Sequence, residues 1–413
     1  MTTIIRAGAA HDFLALVPVL AGYAPVRSLV CVAFEDNRTA AVLRIDLPDA
    51  AHEDAAATAL LGTLCRIPRV DAVVPIAYGD RPFRDGAVPH RGVLDAVVRR
   101  AEDAGFRIRD ALAVGSNGWG SLFDEDLPAE GRSLRLIERS AALRTAPAEV
   151  AARAAELPDS AAHLVRIPEP AEELAGRIRE LRAELDGESC ASDEPVGASR
   201  EIALDRLEHA LGDAVDPLML VERLAAGRGD GSAEQLAWLL ELAEQPSIRD
   251  AMMLQAAFGP LVGELALDAA EDALARRRAH PADAPSGDGS TVRLPGPDEE
   301  ETVDAFLSRL ILGRSTIRPD VDRVQAVLAA IAPAIGNAAI GSRTGSLCIA
   351  AWLAWALGSA SAAGALIDLA RSETPEHTMA GLLHRFLGLG ELPEWAFSAP
   401  PGTGRAIPGD DAA

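Results

Sequence analysis

Five residues that could bind a small ligand fall at the ends of predicted strands: Asp46, Tyr78, Asp80, Asn117 and Trp119. In sheets with crossover helices, ligands gather beyond the carboxyl ends of the strands. A tyrosine ring could stack on a ligand, and the carboxylates could hold a ribose hydroxyl, a metal-bound water or a proton. The pattern indicates a ligand site and, if the protein is an enzyme, small-molecule or nucleotide chemistry of the hydrolase class.

Each of these residues also has an ordinary structural explanation. Asp80 and Asn117 are common turn residues, and Asp46 could simply pair with Arg44. Tyr78 could belong to the core, and Trp119 fits a cross-strand packing position better than a ligand platform. Both explanations stay open, because spacing alone does not establish that the side chains converge.

Several motifs that mark enzyme families are missing from the sequence. No Gly-x-Ser-x-Gly elbow is present, so an α/β-hydrolase triad lacks its nucleophile. The chain has no lysine, which excludes a Gly-x-x-x-x-Gly-Lys phosphate loop. Gly115, Gly118 and Gly120 are spaced wrongly for a dinucleotide loop. His377 and His384 lack an obvious acidic or cysteine partner, so we predict no metal site, and the sequence identifies no cofactor.

The elements that would position the five residues lie in residues 1–135, which we predict to form a mixed α/β sheet domain of about five strands. The domain contains helical patterns at 11–23, 52–66 and 93–105, and strand patterns at 29–34, 43–47, 71–78, 106–114 and beyond Trp119. The polar turn after the first strand and the later Asn117-Gly118 pair both predict hairpins. Pro75 cannot donate to a ladder, so we expect its strand at an edge or a bulge.

No convincing strand pattern follows residue 145. We predict a helical domain at 145–278 and a helical region at 301–395 that packs with it. Residues 279–300 are polar and rich in Pro and Gly, which predicts a disordered linker or loop, and 396–413 predict a disordered tail. The last long helical pair has small residues spaced as in a tetratricopeptide-like hairpin.

The net charge of −23 is unevenly distributed. Residues 1–140 carry 19 acidic and 16 basic residues, whereas the remainder carries 43 and 23. A negative field of this size repels phosphate backbones and argues against a nucleic-acid partner. An arginine-rich face would be needed to override it, for instance around Arg66, Arg69, Arg81 and Arg84.

Cysteine usage and hydropathy predict a cytoplasmic protein. The four cysteines are far apart and form no Cys-x-x-Cys pair, as is typical of reduced thiols. The first residues lack the order of a signal peptide. The uncharged stretch 347–367 is long enough to span a bilayer, but turn residues from Gly358 to Ser361 favour a buried helical hairpin. We therefore expect no membrane partner.

Motifs from both ends of the chain resemble one family. They are Asp12–Pro18 with Gly22-Tyr23, Ser28–Val30, Asp71–Val74 with Tyr78–Asp80, Arg109–Leu112, Ile248–Ala251 and Ala351–Trp355. In this order they are similar to the domain-of-unknown-function family 4192 of high-GC actinobacteria. That family usually has a second tryptophan after Trp119, where this sequence has Gly120. The resemblance implies a fold and a lineage, but no reaction.

Two functions remain as hypotheses. The first is a non-catalytic protein that binds an unidentified protein or small-molecule partner. The missing catalytic motifs and the predicted helical structure of most of the chain favour this hypothesis. The alternative is a small-molecule or nucleotide-handling enzyme with its site at the strand ends. The sequence leaves open whether the chain is an enzyme.

Overall fold

The computed structural model describes residues 7–159, 165–186, 196–279, 302–388 and 390–398. The chain divides into two compact units between Leu164 and Val165. All strands of the described residues belong to the first unit, and the second is helical. The predicted fold class, a mixed sheet followed by a mostly helical region, is confirmed.

The first unit is built on a mixed six-stranded sheet. Its strands are β1 (Ser28–Glu35), β2 (Arg38–Asp46), β3 (Ala72–Tyr78), β4 (Arg107–Ile108), β5 (Leu112–Val114) and β6 (Trp119–Ser121). They lie in the order β2-β1-β3-β5-β6, with β4 also beside β3. β3 runs antiparallel to β1 and parallel to β4 and β5. Both predicted hairpins, β1–β2 and β5–β6, are present.

Helices cover both faces of this sheet: α1 (Ala10–Ala21), α2 (Glu53–Leu64) and α3 (Arg91–Asp103). Leucines and valines of α2 and α3, such as Leu60 and Leu94, pack against the face that carries Leu29 and Val73. α1 packs on the opposite face, which carries Val30 and Val74. Because β1 and β3 are covered on both sides, their apolar runs are continuous. Each fully buried leucine or valine contributes roughly 1.5–3 kcal/mol.

The expectation that Pro75 lies on an edge strand is wrong, because β3 is in the interior of the sheet. The backbone carbonyls of Asp71 and Val73 accept hydrogen bonds from the backbone amides of Arg107 and Arg109, on the β4 side of β3. Residue 75 has the same orientation as Val73, since backbone groups alternate sides along a strand. Its missing N–H therefore faces the interruption between β4 and β5, where no ladder bond is lost.

Three short helices complete the described part of the first unit: α4 (Arg135–Glu138), α5 (Ala141–Arg144) and α6 (Ala148–Ala155). All three contact α1. The sequence instead placed residues from 145 onward in a helical domain, and the division into domains stays a prediction. The expected linker at 279–300 and tail at 396–413 lie, apart from their first residues, outside the described residues.

The second unit is an assembly of helices. They are α7 (Glu172–Asp186), α8 (Val196–Leu211), α9 (Pro217–Ala225), α10 (Ala233–Glu244), α11 (Pro246–Phe258), α12 (Pro260–Ala279), α13 (Val303–Ile311), α14 (Val321–Asn337), α15 (Thr344–Ala356), α16 (Ala360–Glu373) and α17 (Thr378–Gly388). Side chains of Asp216, Ser232, Thr302 and Asp320 accept hydrogen bonds from first-turn amides, which fixes the starts of four helices. The helices after α12 pack against those before it.

α15 is the central helix of this unit, and each of its residues is buried. It contacts α10, α11, α14, α16 and α17. The uncharged stretch 347–367 forms the antiparallel pair α15–α16, with Gly358 in the left-handed conformation at the turn (φ 81°). The likeness of this pair to a tetratricopeptide hairpin is not confirmed. Among the described residues, no helix has the length and apolar character needed to cross a membrane.

Candidate functional site

The sheet register brings three of the five predicted residues into one row. Asp46 pairs with Ser28, Ser28 with Tyr78, Tyr78 with Val114, and Val114 with Trp119. Asp80 follows β3 at the same edge, and Asn117 lies in the turn between β5 and β6. The backbones of all five residues therefore gather at the carboxyl end of β3, which we call the strand-end edge.

The side chains at the strand-end edge do not point to a common centre. Asp46 is 86% exposed and pairs with Arg44 at 2.7 Å, and Asp80 is exposed. Tyr78 and Trp119 are buried in the core between the sheet and α1, with 9% and 4% of their surface exposed. The carboxylates thus face solvent, whereas the aromatic rings serve packing.

Asn117 fastens a loop to the β5–β6 turn. Its Oδ1 accepts a hydrogen bond from the Phe83 amide at 2.8 Å, and its Nδ2 donates to the Phe83 carbonyl at 3.1 Å. Both functional groups of the amide are used within the protein. A ligand at Asn117 would have to replace these bonds, which fits a structural role.

Phe83 fills the space that the nearby glycines leave open. A Cβ atom at Gly115, Gly120 or Gly131 would lie 3.4, 3.1 and 2.9 Å from its ring. The ring is 1% exposed. These three glycines, from the end of β5 to the loop after β6, therefore leave room for a side chain of the protein. Sequence reasoning missed Phe83, because a single aromatic residue in a polar loop has no periodic pattern to mark it.

Two of the five predicted residues each have a buried polar atom that lacks a hydrogen-bond partner among the described residues. These atoms are the phenol oxygen of Tyr78 and the indole nitrogen of Trp119. Burial raises the pKa of Tyr78 well above its usual range, so its phenol stays protonated at neutral pH. Tyr78 is therefore a hydrogen-bond donor in this environment and cannot serve as a base.

His90 is a titratable residue at this edge that sequence reasoning did not select. It adopts a left-handed conformation (φ 57°) directly before α3, and its ring packs against Gly79. Its Nε2 is buried and has no partner among the described residues. Burial and nearby Arg81 lower the pKa of His90, whereas Asp80 acts in the opposite direction. The imidazole is therefore neutral at pH 7.

The first unit also has a groove of about 970 Å³ at the other end of the sheet, between α1 and the strands. Its apolar lining is contributed mainly by Phe13, Leu16, Val19, Leu20, Phe34, Val74 and Leu112. Its polar lining consists of Asn37, Arg38, Thr39, Arg109 and Asp110. The groove could not be predicted from the sequence, because its walls come from four segments that are distant in the chain.

Two charged residues of the groove are held in place by the protein. Arg109 lies 4.4 Å above the Phe34 ring and donates to the Asp36 carbonyl. The carboxylate of Asp110 accepts hydrogen bonds from the Ser121 hydroxyl at 2.5 Å and the Ala111 amide at 2.8 Å. Both bonds use the Oδ1 atom of Asp110, while the exposed Arg38 has no ion pair with a described residue.

The two histidines considered as metal ligands have separate partners. His377 Nε2 lies 3.8 Å from Glu244, and His384 Nδ1 lies 3.7 Å from Asp368. Within the described part of the chain, no three His, Cys, Asp or Glu side chains are arranged to hold a metal ion. The proposed arginine face is also divided, because Arg66 and Arg69 precede β3 and Arg81 and Arg84 follow it.

Fold and site together define a two-unit protein with a mixed α/β sheet, a ligand-sized groove and an acidic helical unit. The family model for a domain of unknown function, DUF4192, matches residues 11–394. The chain therefore belongs to the DUF4192 family, as the motif order predicts. No curated protein and no solved structure matches it.

Proposed function

We propose that this chain is a non-catalytic binding protein whose ligand occupies the groove between α1 and the sheet. The ligand class that fits best is a small organic acid with an extended apolar body. The main support for this proposal is the groove itself, whose volume of about 970 Å³ lies at the upper end of the range for small-molecule sites.

The apolar walls support burial of a hydrocarbon body. Leu20 is 42% exposed where it lines the groove. An apolar ligand covering it would remove this surface from water and gain about 25 cal/mol for each Å² buried. Phe13 and Phe34, whose ring centroids are 5.9 Å apart, provide an aromatic contact for the same body.

The polar rim supports an anionic end. Arg38 and Arg109 both line the groove, and a guanidinium group pairs well with a carboxylate. The Asp110 carboxylate also lines the groove and opposes an anion there, although Ser121 and Ala111 donate to its Oδ1.

The proposal includes a cytoplasmic location. Cys31 and Cys348 are buried free thiols, and Cys65 is an exposed free thiol. An exposed free thiol is typical of a reducing compartment. The protein partner, if one exists besides the small molecule, is left unidentified.

An enzyme acting on a small molecule or nucleotide at the strand-end edge is the second candidate. His90 favours it, since a neutral imidazole with an unpartnered Nε2 beside Asp80 could act as a base. Phe83 disfavours it by filling space at the end of β5.

Ligand-induced thermal stabilisation tests the proposal. We would measure the melting temperature with carboxylates from acetate to decanoate, with decanol, and with AMP and ATP. We expect decanoate to stabilise more than acetate or decanol. At a hundredfold excess over Kd the gain is about 2.7 kcal/mol, or roughly 5–10 °C for a unit of this size.

Paired variants locate the site. Leu20→Glu places a charge in the apolar wall and should abolish the shift, whereas Val26→Glu, at an exposed valine outside the groove, should retain it. A nucleotide shift that is lost in His90→Ala would instead support the enzyme. If no carboxylate stabilises the protein, the proposed ligand class is wrong.

A further inference from the structure

His377 caps the last long helix of the second unit. α17 begins at Thr378, and the amide of Ala380 donates to His377 Nδ1 at 3.3 Å. This is the geometry of an N-cap, in which a side-chain acceptor satisfies the amide three residues further on. Histidine can fill this role only while Nδ1 carries no proton.

The groups around the imidazole come from three other helices. Glu244, at the end of α10, lies 3.8 Å from Nε2. The thiol of Cys348 on α15 lies 3.9 Å from Nδ1. Arg249 of α11 is 95% buried, and its Nε donates to the Asp250 carboxylate at 3.2 Å. Its positive charge disfavours a proton on the His377 ring.

The cap orients a helix that covers an aromatic cluster. Phe386 of α17 meets the Trp355 ring edge-on with centroids 4.9 Å apart. Trp355 in turn contacts Trp395 at 5.7 Å, and Trp395 contacts Phe258 at 5.6 Å. A change in the position of α17 would therefore alter the surroundings of Trp355 directly, and those of Trp395 only through Trp355.

We propose that His377 is a pH-sensitive cap that holds α17 against the aromatic cluster at neutral pH and loosens it in acid. A proton on Nδ1 removes the acceptor for the Ala380 amide and places a cation at a helix N-terminus, where the helix dipole is unfavourable to it. The same cation faces Arg249. Glu244 attracts the cation and opposes the switch, and the Cys348 sulfur is a weak acceptor for a protonated Nδ1.

The balance of these contacts favours the neutral ring. Burial and Arg249 lower the pKa of His377, whereas Glu244 raises it. Because the unfolded chain binds the proton more tightly, the stabilising effect of the cap is complete above about pH 6.5. It declines as the pH falls from there toward the lowered pKa.

Hydrogen exchange of the α17 amides tests the switch. We would compare the full-length protein with His377→Asn at equal pH, so that intrinsic exchange rates cancel. Asparagine keeps a cap acceptor but does not titrate. From about pH 8 to pH 5, the range in which histidines titrate, protection of α17 should fall about fivefold in the natural protein relative to His377→Asn.

His384→Asn is the matched control, because His384 lies on α17 but does not cap it. This variant should keep the full pH response. A response that persists in His377→Asn, or that disappears in His384→Asn, would overturn the proposal. If His377→Asn fails to fold, ¹⁵N shifts of the natural protein still decide the matter. The proposal requires the proton on Nε2 at pH 7, and a proton on Nδ1 contradicts it.

Discussion

At the scale of single residues, the strand-end edge depends on one aromatic side chain. Phe83 packs against three glycines and is held through its backbone by Asn117. The glycines and the asparagine are thus explained by packing and loop attachment. Their presence near a strand end does not by itself indicate a ligand.

We expect Phe83→Ala to destabilise the first unit by about 3–5 kcal/mol, the usual cost of removing a buried phenylalanine. The three surrounding glycines have no side chains with which to fill the cavity. Urea unfolding followed by circular dichroism measures this loss.

Phe123→Ala is the appropriate control, since Phe123 is 54% exposed. It should change the free energy of unfolding by less than about 0.5 kcal/mol. Equal effects of the two substitutions would show that Phe83 is not the centre of this packing.

The sequence predicted which residues lie at the strand ends but not what their side chains do. Asp46, Tyr78 and Trp119 could be assigned to strand ends because strand lengths follow from local patterns, but their common row depends on pairing between strands that are distant in sequence. The direction of each side chain depends on packing partners far away in the chain, such as α1 for Tyr78. Phe83 and His90 lie in an irregular loop, where periodicity carries no information.

At the scale of elements, turn chemistry was a better guide than composition. The uncharged stretch 347–367 is long enough for a membrane span, but Gly358 divides it into α15 and α16. Pro75 was misleading, because the gap between β4 and β5 that accommodates it depends on the register of strands distant in sequence.

Gly358 allows a clean test of this turn. No atom lies within 4 Å of a Cβ built there, so Gly358→Ala introduces backbone strain without a clash. Since φ is 81°, we expect a loss of about 1–2 kcal/mol, the cost of the left-handed conformation for an L-residue.

Gly364→Ala provides the comparison, because Gly364 lies inside α16 and is equally free of neighbours. There alanine should stabilise the protein by roughly 0.5–1 kcal/mol. Chemical denaturation of both variants gives the two values. A destabilising Gly364→Ala together with a neutral Gly358→Ala would contradict the assigned turn.

At the scale of the whole molecule, charge is unevenly distributed along the sequence, and the two features that we propose lie in different units. The first 140 residues are nearly balanced in charge, whereas the rest is strongly acidic. The groove that we propose as the binding site belongs to the nearly neutral first unit. The pH-sensitive cap belongs to the helical unit.

The fold class could be predicted because helix and strand periods, turn residues and motif order all agree. The groove could not, because α1, the β1–β2 turn, β3 and the segment before β5 contribute to it together. A cavity of this kind arises from how far a helix stands from a sheet. That distance depends on the summed packing of many side chains and has no local sequence pattern.

The most direct measurement of the central claim is methyl NMR of the full-length protein titrated with decanoate. If the groove is the ligand site, methyl signals of its lining residues shift, namely those of Leu16, Val19, Leu20, Val74 and Leu112. Signals of Val93, Leu94 and Val97, on the opposite face of the sheet, should stay unchanged. Shifts confined to the strand-end edge or to the helical unit would contradict the account.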